Sequence, residues 1–157
     1  MSKHLGDRLP AEFMAALDGH DLERKYGETY VVMTTDPDGV ARPCMLSAGE
    51  LLAVDDRTIR VALWPNGRTG ANLKRGAKVI ICFVAPNLVL YVRGQPRVLT
   101  PAHDPEIERF EVAVEAVDSD AHEGLPVAHG IAFTSTPVVR HAMLEQWRKV
   151  LDALRGA

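Results

Sequence analysis

The segment from Trp64 to Gly76, WPNGRTGANLKRG, contains residue types that bind anions. Arg68 can hold a phosphate through two parallel hydrogen bonds, and the Thr69 hydroxyl can donate to a phosphate oxygen. A helix that begins near Thr69 would add unpaired backbone N–H groups and the positive end of its dipole. The segment therefore predicts a phosphate site. A simple turn at Pro65-Asn66-Gly67, with Thr69 as a helix cap, fits the same residue types equally well.

The distribution of charge supports an anionic ligand. The net charge is only -3, but no Asp or Glu occurs from Arg57 through His103. That window contains eight of the 18 basic residues, while all 21 acidic residues lie outside it. The eight are Arg57, Arg60, Arg68, Lys74, Arg75, Lys78, Arg93 and Arg97. A basic middle between acidic ends favours an anionic ligand, and a row of solvated strand edges and one helix face is the alternative explanation.

Other kinds of site have little support in the sequence. The six histidines lack the spacings of zinc sites, and no Gly-x-Ser-x-Gly elbow occurs, so we expect neither a metal site nor hydrolase chemistry. Cys44 and Cys82 lie in apolar runs, which indicates reduced packing residues. The basic middle has few aromatic residues that could stack on bases, so no nucleic-acid partner is expected.

The sequence predicts neither a secretory signal nor a membrane-spanning segment. Charged residues interrupt the N-terminal segment, which argues against a secretory signal. The longest apolar run, from Val79 to Ala85, is far below the roughly 20 residues that span a bilayer. We therefore expect a cytoplasmic protein with no membrane partner.

Hydrophobic periodicity predicts helical ends around a strand-rich centre. Short helices are predicted from Pro10 to Asp18 and from Asp21 to Lys25, and a longer one from Pro137, with Thr136 as its N-cap and Gly156 after its end. Strands are predicted in the segments YVVMTT, ARPCMLS, ELLAV, TIRVAL, KVIICFVA, LVLYVRGQPRVL and FEVAVEAV. Gly94 and Pro96 predict a bend or bulge. The expected fold is mainly β, a six- to seven-stranded antiparallel barrel with N- and C-terminal helices, in a single domain over residues 1–157.

The order of strand, loop and a short helix that ends in Asn-Leu-Lys-Arg-Gly before a buried strand resembles the FMN-binding split barrel of the pyridoxamine 5'-phosphate oxidase family. The preceding hairpin, with Gly39 and Pro43 at its turn, and the following strand pair fit the same pattern. The resemblance covers roughly Glu28 to Leu99. It implies a homodimer whose cofactor site lies between the subunits.

The resemblance also implies which residues would bind the cofactor. The FMN phosphate would contact Arg68, Thr69 and Asn72, with Trp64 beside it. The ring would contact Met45, Leu46 and Ser47 on the return strand of the hairpin. One departure stands out, because Thr69 occupies the position where relatives commonly have a lysine of a Ser-x-Lys pair. Arg68 is the residue that could replace that lysine.

The function implied is an FMN-dependent oxidoreductase that acts on a small molecule, with no catalytic residue identified because the flavin carries the electron chemistry. A deazaflavin in place of FMN is left open. The alternative is a non-catalytic barrel that has lost the flavin and binds another anionic ligand. A less favoured variant binds haem through a loop histidine.

Overall fold

The computed structural model describes residues 2–99 and 106–157, and this part of the chain contains nine strands and four helices. The helices are α1 (Ala11–Ala16), α2 (Leu22–Lys25), α3 (Arg68–Lys74) and α4 (Pro137–Arg155). The strands are β1 (Lys3–Gly6), β2 (Glu28–Thr35), β3 (Ala41–Ser47), β4 (Leu51–Asp55), β5 (Thr58–Leu63), β6 (Val79–Ala85), β7 (Leu88–Val98), β8 (Glu108–Ser119) and β9 (Ile131–Ala132).

Seven strands form one antiparallel sheet in the order β3-β2-β6-β7-β8-β5-β4. The end strands β3 and β4 follow each other in the chain and are joined by a turn at residues 48–50. The sheet therefore curls into a barrel that is split between β3 and β4. The mainly β fold predicted from the sequence is confirmed. The short strands β1, which pairs with β8, and β9, which pairs with β2, were not predicted.

The main core fills the concave side of the sheet, and α1 closes it. Phe13 and Leu17 from the α1 segment are fully buried in it, and Phe13 lies against Phe83 with ring centroids 5.2 Å apart. Strand side chains alternate between the two faces of a sheet, so every second residue of β2 and β6 reaches this core. Tyr30 and Phe83 stack there with centroids 5.4 Å apart.

A second apolar cluster lies between α4 and the outer side of β4 and β5. Trp147, Leu151 and Leu154 of α4 pack on Leu52 and Ala62. The predicted N-cap is confirmed, because the Thr136 side chain accepts a hydrogen bond from the Val139 backbone N–H. The buried face begins only at Leu144, and Val139, near the start of the helix, is 49% exposed.

The predicted bulge at Gly94 is also confirmed. The register between β7 and β8 shifts between Arg93 and Gly94. A Cβ atom at Gly94 would lie 2.4 Å from a methyl group of Val112 and 2.6 Å from the Ala113 carbonyl oxygen. Glycine is required here because the two strands approach too closely for a side chain.

In the described residues, no helix is both long and apolar enough to cross a membrane.

Candidate functional site

The loop between β5 and α3 has a conformation that its residue types favour. Asn66 has φ of 65°, in the left-handed region that asparagine tolerates better than most residues, and Gly67 is the N-cap of α3. Glu108 of β8 anchors both the loop and the helix: its Oε1 accepts hydrogen bonds from the Asn66 backbone N–H at 3.4 Å and from Lys74 Nζ at 2.6 Å. The start of α3 is therefore fixed against the sheet.

Arg68, the first residue of α3, is exposed. Within residues 2–99 and 106–157 it has neither a hydrogen bond nor an ion pair. It lines a cavity of about 480 Å³ between α3 and the turn that joins β2 to β3. The lining residues are Asp36, Pro37, Asp38, Arg68, Ala71, Asn72 and Arg75. A guanidinium with free donors in such a cavity is suited to binding an anion.

Asp36 forms the opposite wall of this cavity and is already engaged. Its carboxylate accepts hydrogen bonds from Arg42 Nε at 2.8 Å and Nη2 at 2.5 Å, and from the Asn72 side-chain amide at 2.8 Å. These bonds, first of all those from Arg42, lower the pKa of Asp36 to about 2. The carboxylate therefore stays charged and fixed in position at physiological pH.

Asn72 and Thr69, two predicted phosphate ligands, are buried and point towards protein partners. The Asn72 amide donates to Thr34 Oγ1 at 3.0 Å and to Asp36, and its oxygen accepts from Arg75 at 3.3 Å. Thr69 is 8% exposed, and its side chain lies near the Cys44 thiol. Burial raises the pKa of Cys44, and the nearby Thr69 hydroxyl partly opposes the shift. The Thr69–Cys44 contact places the start of α3 directly against β3.

The three predicted ring contacts on β3 have different environments. Met45 is 64% exposed, whereas Leu46 is buried in the main core. Ser47 is also buried, and its hydroxyl and backbone N–H both donate to Glu50 Oε2, at 2.7 and 2.8 Å. Met45 is therefore the member of this group whose side chain can contact a ligand without rearrangement.

Trp64 lies in the loop before α3 and is 58% exposed. It lines a cavity of about 40 Å³ together with Glu50 and Trp147, on the side of the loop that faces α4. Trp64 does not line the larger cavity of Arg68. The structure thus joins Arg68 and Asn72 at one cavity and Trp64 at another, with the Thr69–Cys44 contact linking α3 to the predicted ring-facing strand.

The basic window does not form a continuous basic surface. Six of its eight cations form ion pairs with acidic residues that lie outside the window in sequence. The pairs are Arg57–Asp7, Arg60–Glu111, Lys74–Glu108, Lys78–Glu115, Arg93–Asp118 and Arg97–Glu111. Arg68 and Arg75 have no carboxylate ion partner in the described part of the chain. Most cations of the acid-free run therefore form ion pairs within the fold, and the two without a carboxylate partner line one cavity.

Three charged residues of this cavity were not predicted as site residues. Arg75 was predicted only as part of the basic window, and Asp36 and Asp38 lie at the turn of the predicted hairpin. The signal that could have identified them is the register of the β2–β3 hairpin, which places this turn beside α3.

Among the described residues no group of three or more His, Cys, Asp or Glu side chains could hold a metal ion. His103, part of the haem alternative, lies outside the described residues.

An apolar surface covers the convex side of three adjacent strands. Met45, Val31 and Cys82 are neighbours across β3, β2 and β6, and Pro43, Met33 and Ile80 form the next row. Residues between them on β2 and β6, such as Val32 and Ile81, point into the core, so these six face outward. We call Val31, Met33, Pro43, Met45, Ile80 and Cys82 the outer apolar face. Arg93 and Asp118, paired at 2.8 Å, lie beside it on β7 and β8.

Comparison with known proteins gives one clear sequence relative. The chain is 32% identical over 154 residues to YclD of Bacillus subtilis (strain 168), described as an uncharacterized protein, and the match covers 96% of each chain. No family model matches.

Solved structures share the fold at lower identity. A protein from Lactobacillus delbrueckii that is named after pyridoxamine 5'-phosphate oxidase matches with a TM-score of 0.56 at 19% identity, over 73% of this chain and 98% of that one. An F420 reductase matches with a TM-score of 0.52 at 16% identity, over 69% of this chain and 98% of that one.

Proposed function

The chain belongs to the same family as YclD and has the split-barrel fold of the pyridoxamine 5'-phosphate oxidase-like proteins, and from this premise we propose that it is a flavin-dependent oxidoreductase with FMN as its cofactor. FMN, when bound, supplies hydride or electron transfer to a small substrate. The residues of this chain then only have to anchor the phosphate, place the ring and exclude water.

The proposal rests on one observation, the environment of Arg68. It is an exposed guanidinium at the first position of α3, without a hydrogen bond or ion pair in the described residues, and it borders a cavity of about 480 Å³. Asn72 is already hydrogen-bonded to protein groups and Thr69 is buried, so both would support the position of Arg68 rather than contact the phosphate. In this proposal Arg68 takes the role of the lysine that relatives commonly have at the position of Thr69.

The ring would lie along β3, next to α3. The Thr69–Cys44 contact brings β3 and α3 together, and Met45, the next residue of β3, offers an exposed side chain on the outer face of the sheet. Ser47 would fix this strand through its hydrogen bonds to Glu50, and Leu46 through its packing in the core. Trp64, which lines the separate cavity on the α4 side of the loop, is not part of this arrangement. The Cys44 thiol, whose pKa burial raises, stays protonated and uncharged near the ring.

A homodimer is part of the proposal. The outer apolar face includes Met45, so a second copy docked on this face would also cover the ring-facing strand. Strand residues of both copies would exclude water from the site, and the Arg93–Asp118 pair beside the face would lie at the rim. Apolar surfaces that continue over several strands favour association.

The experiment compares FMN binding to the native chain and to Arg68→Ala. A charge-assisted hydrogen bond typically contributes about 1.5–3 kcal/mol, so the variant should bind FMN at least about tenfold more weakly. Arg148→Ala is the matched control, because Arg148 is an exposed arginine on α4 that pairs with Glu23. Quenching of flavin fluorescence gives the affinity, and the absorbance spectrum of the purified protein identifies any flavin or deazaflavin carried along.

The second candidate is a barrel without flavin that binds another anion, and the burial of Thr69 together with the hydrogen bonds of Asn72 favours it. A colourless protein whose thermal midpoint does not change with excess FMN would reject the oxidoreductase proposal and leave this candidate. Equal FMN affinity in the native chain and in Arg68→Ala would reject the assignment of Arg68 as the anchor.

A further inference from the structure

The cavity beside α3 contains charges of both signs, and two of them are held in place by protein partners. Asp36 is bound by Arg42 and Asn72, as described above. Arg75 donates to the Thr35 carbonyl oxygen at 2.6 Å and to Asn72 Oδ1 at 3.3 Å. Asp36 therefore has little capacity left for a ligand, whereas both Arg75 bonds use Nη2 and leave its Nε and Nη1 donors available.

The other two charged groups form no ion pair in the described residues, although Arg68 lies within electrostatic range of Asp36 and Asp38 within range of Arg42. They come from opposite sides of the cavity. Arg68 belongs to α3, and Asp38 belongs to the β2–β3 turn. Asp38 accepts one hydrogen bond from the Val40 backbone N–H at 3.1 Å and, within the described chain, forms no ion pair. An ion pair between Asp38 and Arg68 is absent as well, although both side chains line the same space.

A free cation and a free anion across one cavity select a ligand that carries both charges. A simple anion would be attracted by Arg68 and Arg75 but repelled by Asp38 and Asp36, which line the same cavity. A ligand with an added ammonium group turns the repulsion from Asp38 into attraction. The cavity of about 480 Å³ has the size of a small-molecule site.

We propose that this cavity binds a zwitterion, a small molecule with an ammonium group and a carboxylate or phosphate group, with Arg68 holding the anion and Asp38 the ammonium. This inference goes beyond the flavin proposal and does not require it. The two share Arg68, so FMN and the zwitterion would compete for one guanidinium.

The test is a titration of the isotope-labelled full chain, without added FMN, followed through the backbone amide signals of Gly39 and Arg75. The probes are two matched pairs: 4-aminobutyrate against butyrate, and phosphoethanolamine against inorganic phosphate. Each zwitterion should bind at least about tenfold more tightly than its matched anion, because two linked contacts reinforce each other. The pair with the larger affinity identifies the preferred anionic group.

Variants assign the two contacts. Asp38→Asn, which keeps an acceptor for Val40, should lower zwitterion affinity about tenfold, to that of the matched anion. Arg68→Gln should weaken both members of each pair. Glu123→Gln, an exposed acid in another loop, should change neither. Equal binding of zwitterion and anion by the native chain, or an unchanged ratio in Asp38→Asn, would overturn the proposal. Failure of FMN to bind would bear only on the flavin proposal.

Discussion

Asp36 illustrates how a turn residue becomes part of a site. Its sequence neighbours, Pro37 and Gly39, indicate only a hairpin turn. In the fold, Arg42 returns along β3 to meet its carboxylate, and Asn72 reaches it from α3. One charged side chain thus connects the hairpin to the helix that carries Arg68. The stability of this junction should depend on the ionised form of Asp36.

We predict an acid-labile contribution to stability from Asp36. Its pKa in the folded chain is about 2, below the ordinary value of 3.8, so the ionised carboxylate stabilises the fold fully above about pH 4. That contribution is lost as the pH falls from about 4 to about 2. The free energy of unfolding, measured by urea titration at a series of pH values, should fall less steeply over this range in Asp36→Asn than in the native chain. Asp38→Asn serves as the control, and identical slopes for the native chain and Asp36→Asn would contradict the prediction.

At the scale of elements, the turn between β3 and β4 determines how closely α4 can approach the barrel. The Trp147 indole is buried and lies directly on Gly49 of this turn. A Cβ atom at Gly49 would be 1.9 Å from the indole Cγ, which is far closer than atoms can approach. The turn therefore needs glycine because of the space available. The same turn carries Glu50, which holds Ser47.

Gly49→Ala should consequently displace α4 from the barrel. Overpacking of a rigid core contact typically costs about 1–3 kcal/mol, and we expect a loss of this size in the free energy of unfolding. Gly156→Ala, where the new Cβ would be 3.5 Å from the Asp152 carbonyl oxygen, should change it by less than about 0.5 kcal/mol. Urea unfolding followed by circular dichroism compares the two, and equal stability of both variants would show that the turn accommodates a methyl group.

For the whole molecule, the unusual feature is the outer apolar face on β2, β3 and β6. Antiparallel sheets that face water normally alternate apolar and polar residues, with the polar ones outward. Here both faces of these strands are apolar at the centre, while β7 and β8 carry Arg93 and Asp118 outward. Such a distribution is favourable when a second copy of the chain covers the apolar part of the sheet and excludes water from it.

We predict that the chain sediments as a dimer at micromolar concentration and that Val31→Glu makes it a monomer. A carboxylate at the centre of the outer apolar face would be buried without a partner in the dimer, which is strongly unfavourable. Leu125→Glu is the control, because Leu125 is 69% exposed in a separate loop. A circular dichroism spectrum confirms that each variant is folded. A native chain that remains monomeric at these concentrations would reject the dimer and with it a site shared between subunits.

The sequence predicted the elements well and the contacts of the site poorly. The seven principal strands, the capped helix α4 and the bulge at Gly94 follow from local patterns, because side-chain periodicity and turn chemistry act over a few residues. The contacts of Thr69 and Asn72 with Cys44 and Asp36 join segments about 25 to 36 residues apart. Residue types alone do not indicate such contacts. The FMN ligands predicted from the resemblance therefore stay predictions, of which Arg68 is the best supported by its surroundings.

By itself, the sequence determined a mainly β barrel with helical ends and a strand-loop-helix segment able to bind an anion. The tertiary structure decided which charges remain available for a ligand. Folding pairs six of the eight cations in the acid-free window with distant carboxylates, and for Arg60 and Arg97 the partner is Glu111, directly opposite them on β8. Among the described residues it leaves Arg68 and Arg75 without an ion pair, and it places Asp38 across the same cavity. Whether a charge is free depends on every neighbour in space, and only the fold specifies those neighbours.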